Sequence, residues 1–282
     1  MNANAAVGEN RSELFKVAGF LLLLVVVSGA SGCAKLKARD LLNKGVAAFR
    51  NGQYDVSVED FKQAKDLDPD LLNARLYLAT AYATEYIPGA PSDDNVRVGQ
   101  QAVTEFQDVL DHDPNNITAI DGLGSIIYQM AGTPFTPSQF EESKKYHMKH
   151  ISLQPNDPEP YYWVGVVDWA LAYHANGLLR VAYNAENPKK QIKEADPLPD
   201  NLRNQFSQQY GQIVDEGLQM LDKSVQLRPD YADAMAYQNL LLRQKADMVD
   251  AATRASLEKQ ADDLLDKAKE IKQKDAEKES KS

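Results

Sequence analysis

The side chains best suited to metal or acid–base chemistry are four histidines, His112, His147, His150 and His174. His147 and His150 are three positions apart, so a helix would place both imidazoles on one side. A zinc site needs at least a third side-chain ligand, for which only His174 and Glu142 are candidates. Because both central histidines fall where helix packing is expected, we predict partly buried, hydrogen-bonded side chains and no bound metal.

Sequence motifs of enzymes are missing from the chain. There is no GxSxG nucleophile motif, no HExxH zinc motif and no glycine-rich phosphate loop. Gly122 and Gly124 lie in a helical pattern, where small residues favour close helix packing. Neighbouring carboxylates such as Glu141 and Glu142 fall on a polar helix face. We therefore predict a protein that is not an enzyme and has no cofactor.

The single cysteine, Cys33, follows an apolar segment at 17–30 and the small residues 29–32. A membrane-spanning helix needs about 20 apolar residues, so this segment has the length of a signal-peptide core. The pattern is typical of bacterial lipoprotein signals, in which the cysteine becomes the acylated N-terminus. More than one acyl chain gives stable anchoring. We predict a lipid, such as palmitate, on Cys33; an uncleaved signal anchor is the alternative.

The residue after the cysteine and the net charge restrict the location and partners. In lipoproteins of bacteria with two membranes, aspartate after the cysteine retains the protein at the inner membrane. Ala34 therefore predicts the outer membrane, facing the periplasm. The net charge of −10 disfavours binding to nucleic acid. With Cys33 acylated, no thiol remains for a disulfide or a thiolate metal site.

The sequence after Cys33 contains a periodic pattern that begins at 38–71. Gly45 lies in a helical pattern, Gly52 at a turn, and Pro69 where a helix must end. Tyr54 and Phe61 have the spacing of residues that fill the space between two helices. This segment resembles the 34-residue tetratricopeptide repeat, in which these five residues match positions 8, 15, 32, 17 and 24 respectively.

Further helix-ending prolines extend the resemblance along the chain. They are Pro69, Pro114, Pro155 and Pro229, with spacings of 45, 41 and 74 residues. Each spacing exceeds 34, and we place the additional residues between the two helices of a repeat. The predicted insertions are 85–94, 131–136 and 174–199. Insertions at such positions often form a binding surface, although long surface loops are also tolerated without function.

The resemblance implies an all-α fold, an α-solenoid of about five tetratricopeptide-like helix pairs with insertions between helices. We predict a signal peptide at 1–32, a lipidated tether at 33–37, the solenoid at 38–272 and a charged, disordered tail at 273–282.

In this family the first helix of each pair lines a concave groove. The corresponding positions of this chain are mainly apolar and aromatic, which suits an apolar helix or an extended peptide. The residues predicted to line the groove are Leu42, Val46, Phe49, Leu76, Tyr128, Tyr162, Val166 and Trp169. Burial in the core is the alternative for Tyr162 and Trp169.

We therefore predict a lipid-anchored periplasmic scaffold or adaptor that binds a protein or peptide partner in envelope assembly. The alternative is a lipoprotein that binds a small molecule or metal through the insertion at 174–199, with His147 and His150. Self-association through the terminal helices is a third hypothesis.

Overall fold

The computed structural model describes residues 32–280. Residues 1–31, which carry the predicted signal peptide except for its last residue, lie outside the described residues, as do 281–282. The first helix, α1, covers 32–50. The later helices are α2 (Tyr54–Leu67), α3 (Leu72–Glu85), α4 (Asp93–His112), α5 (Ile117–Ala131), α6 (Pro137–Leu153), α7 (Pro158–Glu186), α8 (Asp200–Leu227), α9 (Ala232–Ala246) and α10 (Ala251–Glu279). Five consecutive helix pairs thus form the described part of the chain, and the predicted all-α class is confirmed.

The first of two compact units contains α1 to α4. Gly45 of α1 faces Phe61 of α2 so closely that a Cβ atom on the glycine would lie 2.5 Å from the ring. Phe61 is fully buried and stacks on Tyr77 of α3, with ring centroids 5.6 Å apart. Gly52, in the turn between α1 and α2, has φ +74°, which glycine adopts without strain. The predicted positions of Gly45 in a helix and of Gly52 at a turn are confirmed.

The second unit contains α5 to α10 and the short segment Pro88–Ala90. Gly124 of α5 repeats the packing of Gly45, because a Cβ atom there would lie 2.6 Å from the His147 ring on α6. Gly165 of α7 approaches Leu221 of α8 in the same way. Since α7 packs against α6, α8 and α9, most of its surface is covered.

The three predicted insertions lie between paired helices, as expected. The first two are loops, between α3 and α4 and between α5 and α6. The third is partly helical, because α7 continues to Glu186 and only 187–199 forms a loop before α8. The described chain thus contains an ordered insertion that lengthens α7 to 29 residues.

Both ends of the described chain are more helical than the sequence analysis predicted. The predicted tether at 33–37 belongs to α1, and Lys35 lies 3.7 Å from Asp68. The predicted disordered tail is helical as far as Glu279, at the end of α10. The sequence after residue 272 is rich in Lys, Glu, Gln and Ala, which favour helix, and it contains no Gly or Pro to end one. The prediction of a disordered tail is therefore wrong for 273–279.

Within residues 32–280, no helix combines the length and the apolar composition that crossing a bilayer requires.

Candidate functional site

The predicted groove residues are divided between the two units. In the first unit, Leu42, Val46, Phe49 and Leu76 are partly exposed on α1 and α3. In the second, Tyr128, Tyr162 and Trp169 are partly exposed on α5 and α7. Val166 is only 1% exposed, because α7 packs against three helices. We therefore correct Val166 to a core residue.

A row of aromatic side chains joins α5, α7 and α9 in the second unit. We call it the aromatic row, and its successive rings are Tyr128, Trp163, Tyr162, Tyr237, Trp169 and Tyr173. The centroids of neighbouring rings are 5.2 to 5.7 Å apart, in edge-to-face contacts except for the stacked last pair. Such contacts add to the stability that burial of the rings provides.

Each ring of the aromatic row keeps part of its surface exposed, and Tyr173 is 44% exposed. Burial raises the pKa of Tyr128 to about 12 and also raises the pKa of Tyr162. Both hydroxyls therefore stay neutral at physiological pH. The Trp169 indole Nε1 is covered and has no acceptor. The row thus offers neutral, partly exposed rings that are held in fixed contact with one another.

Three members of the aromatic row, Trp163, Tyr173 and Tyr237, are absent from the predicted groove. The repeat positions used to predict the groove do not include them. A spacing signal was nevertheless present, since Tyr162, Trp169 and Tyr173 are separated by seven and four residues, as on one face of a helix.

The histidines occupy four separate environments. His147 is 1% exposed and lies parallel to Trp163, with ring centroids 5.6 Å apart. Neither of its ring nitrogens has a hydrogen-bond partner, and burial lowers its pKa to about 4. His150 is hydrogen-bonded, with Nδ1 2.7 Å from Asp121 Oδ1. The prediction of a hydrogen-bonded side chain is correct for His150 and wrong for His147, because Gly124 and Trp163 enclose the latter ring.

The other two histidines lie apart from this pair. His174 stacks on Phe135 at a centroid distance of 3.6 Å. His112 Nδ1 lies 2.8 Å from the Asp108 carbonyl oxygen. Among residues 32–280, no group of three or more His, Cys, Asp and Glu side chains is placed to bind a metal ion.

Two adjoining cavities lie beside the loop 187–199. Their volumes are about 280 and 300 Å³, and both are lined by Tyr173, Glu194, Gln244 and Asp247. Trp169 lines the second cavity, so the cavities continue from the end of the aromatic row. The insertion at 174–199 therefore forms cavities, but their lining does not include His147 or His150.

Asp247, which is 6% exposed, holds the insertion through a hydrogen-bonded network. Its Oδ2 accepts from Arg180 at 2.6 Å and from Asn176 at 2.8 Å, and its Oδ1 accepts from Arg254. Arg180 also donates to the carbonyl oxygens of Lys193 and Asp196, and Arg254 to that of Ala195. Charged side chains buried in this way connect the loop to α7, α9 and α10. No motif in the sequence indicated this network, because its members are far apart along the chain.

A second group of buried charges joins α6, α7 and α8. Lys144 Nζ lies 2.7 Å from both Asp168 and Glu216. Burial raises the pKa of Asp168 to about 7, although Lys144 favours the charged carboxylate. This group lines neither of the two cavities, and we assign it a structural role.

No protein-family model matches this chain, and no curated protein matches its sequence. Solved structures of MamA resemble it, one with a TM-score of 0.54, 14% identity and coverage of 86% of this chain and 94% of MamA. A structure of MamA from Desulfovibrio magneticus RS-1 has a TM-score of 0.52 and 16% identity, and the match covers 81% of this chain and 94% of that structure. YrrB is described as a TPR protein with an unusual peptide-binding site. Its structure has a TM-score of 0.50 and 14% identity, and the match covers 83% of this chain and 90% of YrrB.

These likenesses agree with the five helix pairs of the described chain. The chain has the fold of a tetratricopeptide-repeat protein.

Proposed function

We propose that this protein is a lipid-anchored scaffold that binds a protein or peptide partner on the aromatic row. Acyl chains on Cys33 anchor it to the outer membrane, on the periplasmic side, where it acts in envelope assembly. Cys33 is exposed in the described chain, so the acylating enzymes can reach it. In this role the protein binds a partner and catalyses no reaction.

The aromatic row is the single observation that carries this proposal. Its six rings are partly exposed although they contact one another, so a partner can bury further apolar area without ordering mobile side chains. Tyrosine and tryptophan are the residues that most often dominate binding energy at protein interfaces. A peptide-binding site is also described for YrrB, which has a similar fold.

Crosslinking in cells, followed by affinity capture and mass spectrometry, tests the proposal. We compare the full-length protein with Tyr162→Ala and Trp169→Ala. The control is Met148→Ala, because Met148 is 38% exposed on α6 and lies outside the aromatic row. We expect one partner to be captured by the unchanged protein and the control, and to be lost in both aromatic variants. Equal capture by all variants, with helical content retained, would remove the aromatic row as the binding surface.

A further inference from the structure

Gln244 of α9 carries a hydrogen-bond donor that no group of the described chain satisfies. The side chain is 9% exposed and lines both cavities. Its Oε1 accepts from Asn176 Nδ2 at 2.9 Å, whereas its Nε2 donates to no residue within 32–280. Gln238, another buried glutamine of α9, differs because its Nε2 donates to Asp222. The Gln244 Nε2 atom is not among the buried polar atoms that lack a partner, so it is open to the cavities and available to donate to a ligand there.

The orientation of the Gln244 amide follows from its neighbours. Arg180 Nε can only donate, so the Asn176 atom 2.8 Å from it must be the oxygen. Asn176 therefore turns its NH₂ group towards Asp247 and Gln244. Gln244 must present its oxygen to that group, which leaves its own NH₂ group on the cavity side. A ligand in the cavities must consequently supply an oxygen acceptor.

The charges around the cavities disfavour an anionic acceptor. Arg180 and Arg254 pair with Asp247, and Arg243 pairs with Asp262. Glu194 lines both cavities and makes no ion pair with any residue in 32–280. Its charge is the main reason that the pKa of the adjacent Tyr173 is raised. A ligand carboxylate would meet this negative charge, whereas a ligand N–H group could donate to it.

We propose that the two cavities bind the side-chain carboxamide of an asparagine or glutamine in the peptide partner. A carboxamide supplies an oxygen for Gln244 and an NH₂ group for Glu194, and it carries no charge. Cavities of about 280 and 300 Å³ can hold such a side chain. Trp169 and Tyr173 form part of the walls, so a peptide on the aromatic row reaches the cavities directly. The inference rests on the proposed function and deepens it.

Ligand-observed NMR with the purified full-length protein in detergent tests the inference. The probes are the N-acetyl methylamides of glutamine, glutamate and leucine, which differ only in the side chain. We expect saturable binding of the glutamine probe and binding at least about tenfold weaker for the other two, because the glutamate side chain cannot donate to Glu194 and the leucine side chain can form neither hydrogen bond. Equal binding of the leucine probe would overturn the inference, since the side-chain carboxamide would then contribute nothing.

Two variants locate the site. Gln244→Met removes the free donor, and Gln238→Met is the matched control on the same helix. We expect about tenfold weaker binding of the glutamine probe to Gln244→Met and an unchanged affinity for the control. Glu194→Leu removes the carboxylate at an exposed position where folding is not at risk, and it should also weaken binding. Unchanged affinity in both Gln244→Met and Glu194→Leu would overturn the inference.

Two further outcomes separate this inference from the proposed function. If the probes fail to bind while Tyr162→Ala still abolishes partner capture, the aromatic row binds the partner and the cavities do not. If the probes bind but no partner is captured, the cavities hold a carboxamide without the proposed scaffold function.

N-acetylglucosamine is included as a further probe because sugars also combine hydrogen-bond donors and acceptors. Tighter binding of this sugar than of the glutamine probe would overturn the peptide assignment in favour of a glycan.

Discussion

At the scale of single residues, a glycine of one helix facing a large side chain of its paired helix sets the close packing. Three pairs share this arrangement, namely Gly45 with Phe61, Gly124 with His147, and Gly165 with Leu221. We expect Gly124→Ala to lower the free energy of unfolding by about 1–3 kcal/mol, because the added methyl group overlaps the enclosed His147 ring. Urea denaturation measures this difference.

The control for that substitution is Gly211→Ala on α8. A Cβ atom at Gly211 would meet only Ser207 Oγ, at 3.9 Å. We expect it to stabilise the protein by about 0.5–1 kcal/mol, because alanine loses less backbone entropy in a helix than glycine. Equal effects of the two alanine substitutions would mean that helix propensity, and not packing, governs the glycine positions.

Because of His147, we expect the free energy of unfolding to depend on pH. Its pKa in the folded state is lowered to about 4, and in the unfolded state it is about 6.5. As the pH falls from about 6.5 to 4, the unfolded chain gains a proton that the folded chain does not bind. The folded state therefore loses stability over this range, by up to about 3 kcal/mol.

The measurement compares denaturation of the unchanged protein and His147→Leu from pH 7 to pH 4. Leucine occupies the equivalent place in the pair of Gly165 and Leu221. The carboxyl of Asp168 titrates in the same range, so the difference between the two proteins isolates the histidine. We expect the variant to gain stability relative to the unchanged protein as the pH falls. A constant difference would mean that His147 is protonated equally in both states.

Some of these residue positions could be predicted from the sequence, and others depend on contacts between distant parts of the chain. Gly45, Gly52 and Phe61 were predictable because the repeat motif fixes their positions relative to each other. Val166 was wrongly placed in the groove because its burial depends on how α7 packs against α6, α8 and α9, which the repeat position alone does not give. The free donor of Gln244 had no sequence signal, since it follows from hydrogen bonds that Asn176 and Arg180 make in three dimensions.

At the scale of elements, the insertion between α7 and α8 depends on Arg180 and Asp247. Arg180 bonds to the carbonyl oxygens of Lys193 and Asp196, and so it holds the loop against α7. We expect Arg180→Met to release the loop, because several hydrogen bonds are lost together. Local opening of a segment increases its cleavage by proteases.

Trypsin is a suitable probe because Lys189, Lys190 and Lys193 are exposed in this loop. We expect cleavage of the Arg180→Met variant within the loop to be about tenfold or more faster. Arg203→Met is the control, because among residues 32–280 Arg203 forms an ion pair only with Asp200, on the exposed start of α8. Cleavage at the rate of the unchanged protein would show that other contacts hold the loop.

Segments that contain helix-breaking proline and glycine were predicted correctly, whereas the helical character of two other segments was missed. Pro137 and the Pro- and Gly-rich segment 85–94 interrupt the helical pattern, so the first two insertions were placed correctly between helices. Residues 174–186 contain no proline and continue the helical pattern of α7, and 273–279 are rich in helix-favouring residues. The insertion at 174–199 was placed from the repeat length, which does not say whether its residues are helical, whereas assigning 273–279 to a disordered tail gave too little weight to helix propensity.

At the scale of the whole molecule, the proposed function needs both an anchor and a binding surface, and the two are separable. Cys33 is exposed in the described chain, whereas the aromatic row lies in the unit that contains α5 to α10. A substitution at Cys33 should therefore abolish anchoring without disturbing the rings. Binding of the partner by the purified, unanchored protein should remain unchanged.

We expect Cys33→Ser to move the protein from the membrane fraction to the soluble periplasmic fraction, or to leave an unprocessed precursor with its signal still attached. Without an acylated cysteine, nothing within residues 32–280 supplies a helix that can span a bilayer.

Ala34→Asp is the matched variant, because it keeps the lipid but should shift the protein to the inner membrane. Fractionation with mass analysis of the N-terminal peptide distinguishes these results. Mature Cys33→Ser protein that stays in the outer membrane would contradict lipid anchoring, since the membrane contact would then have to come from the folded chain or its partner.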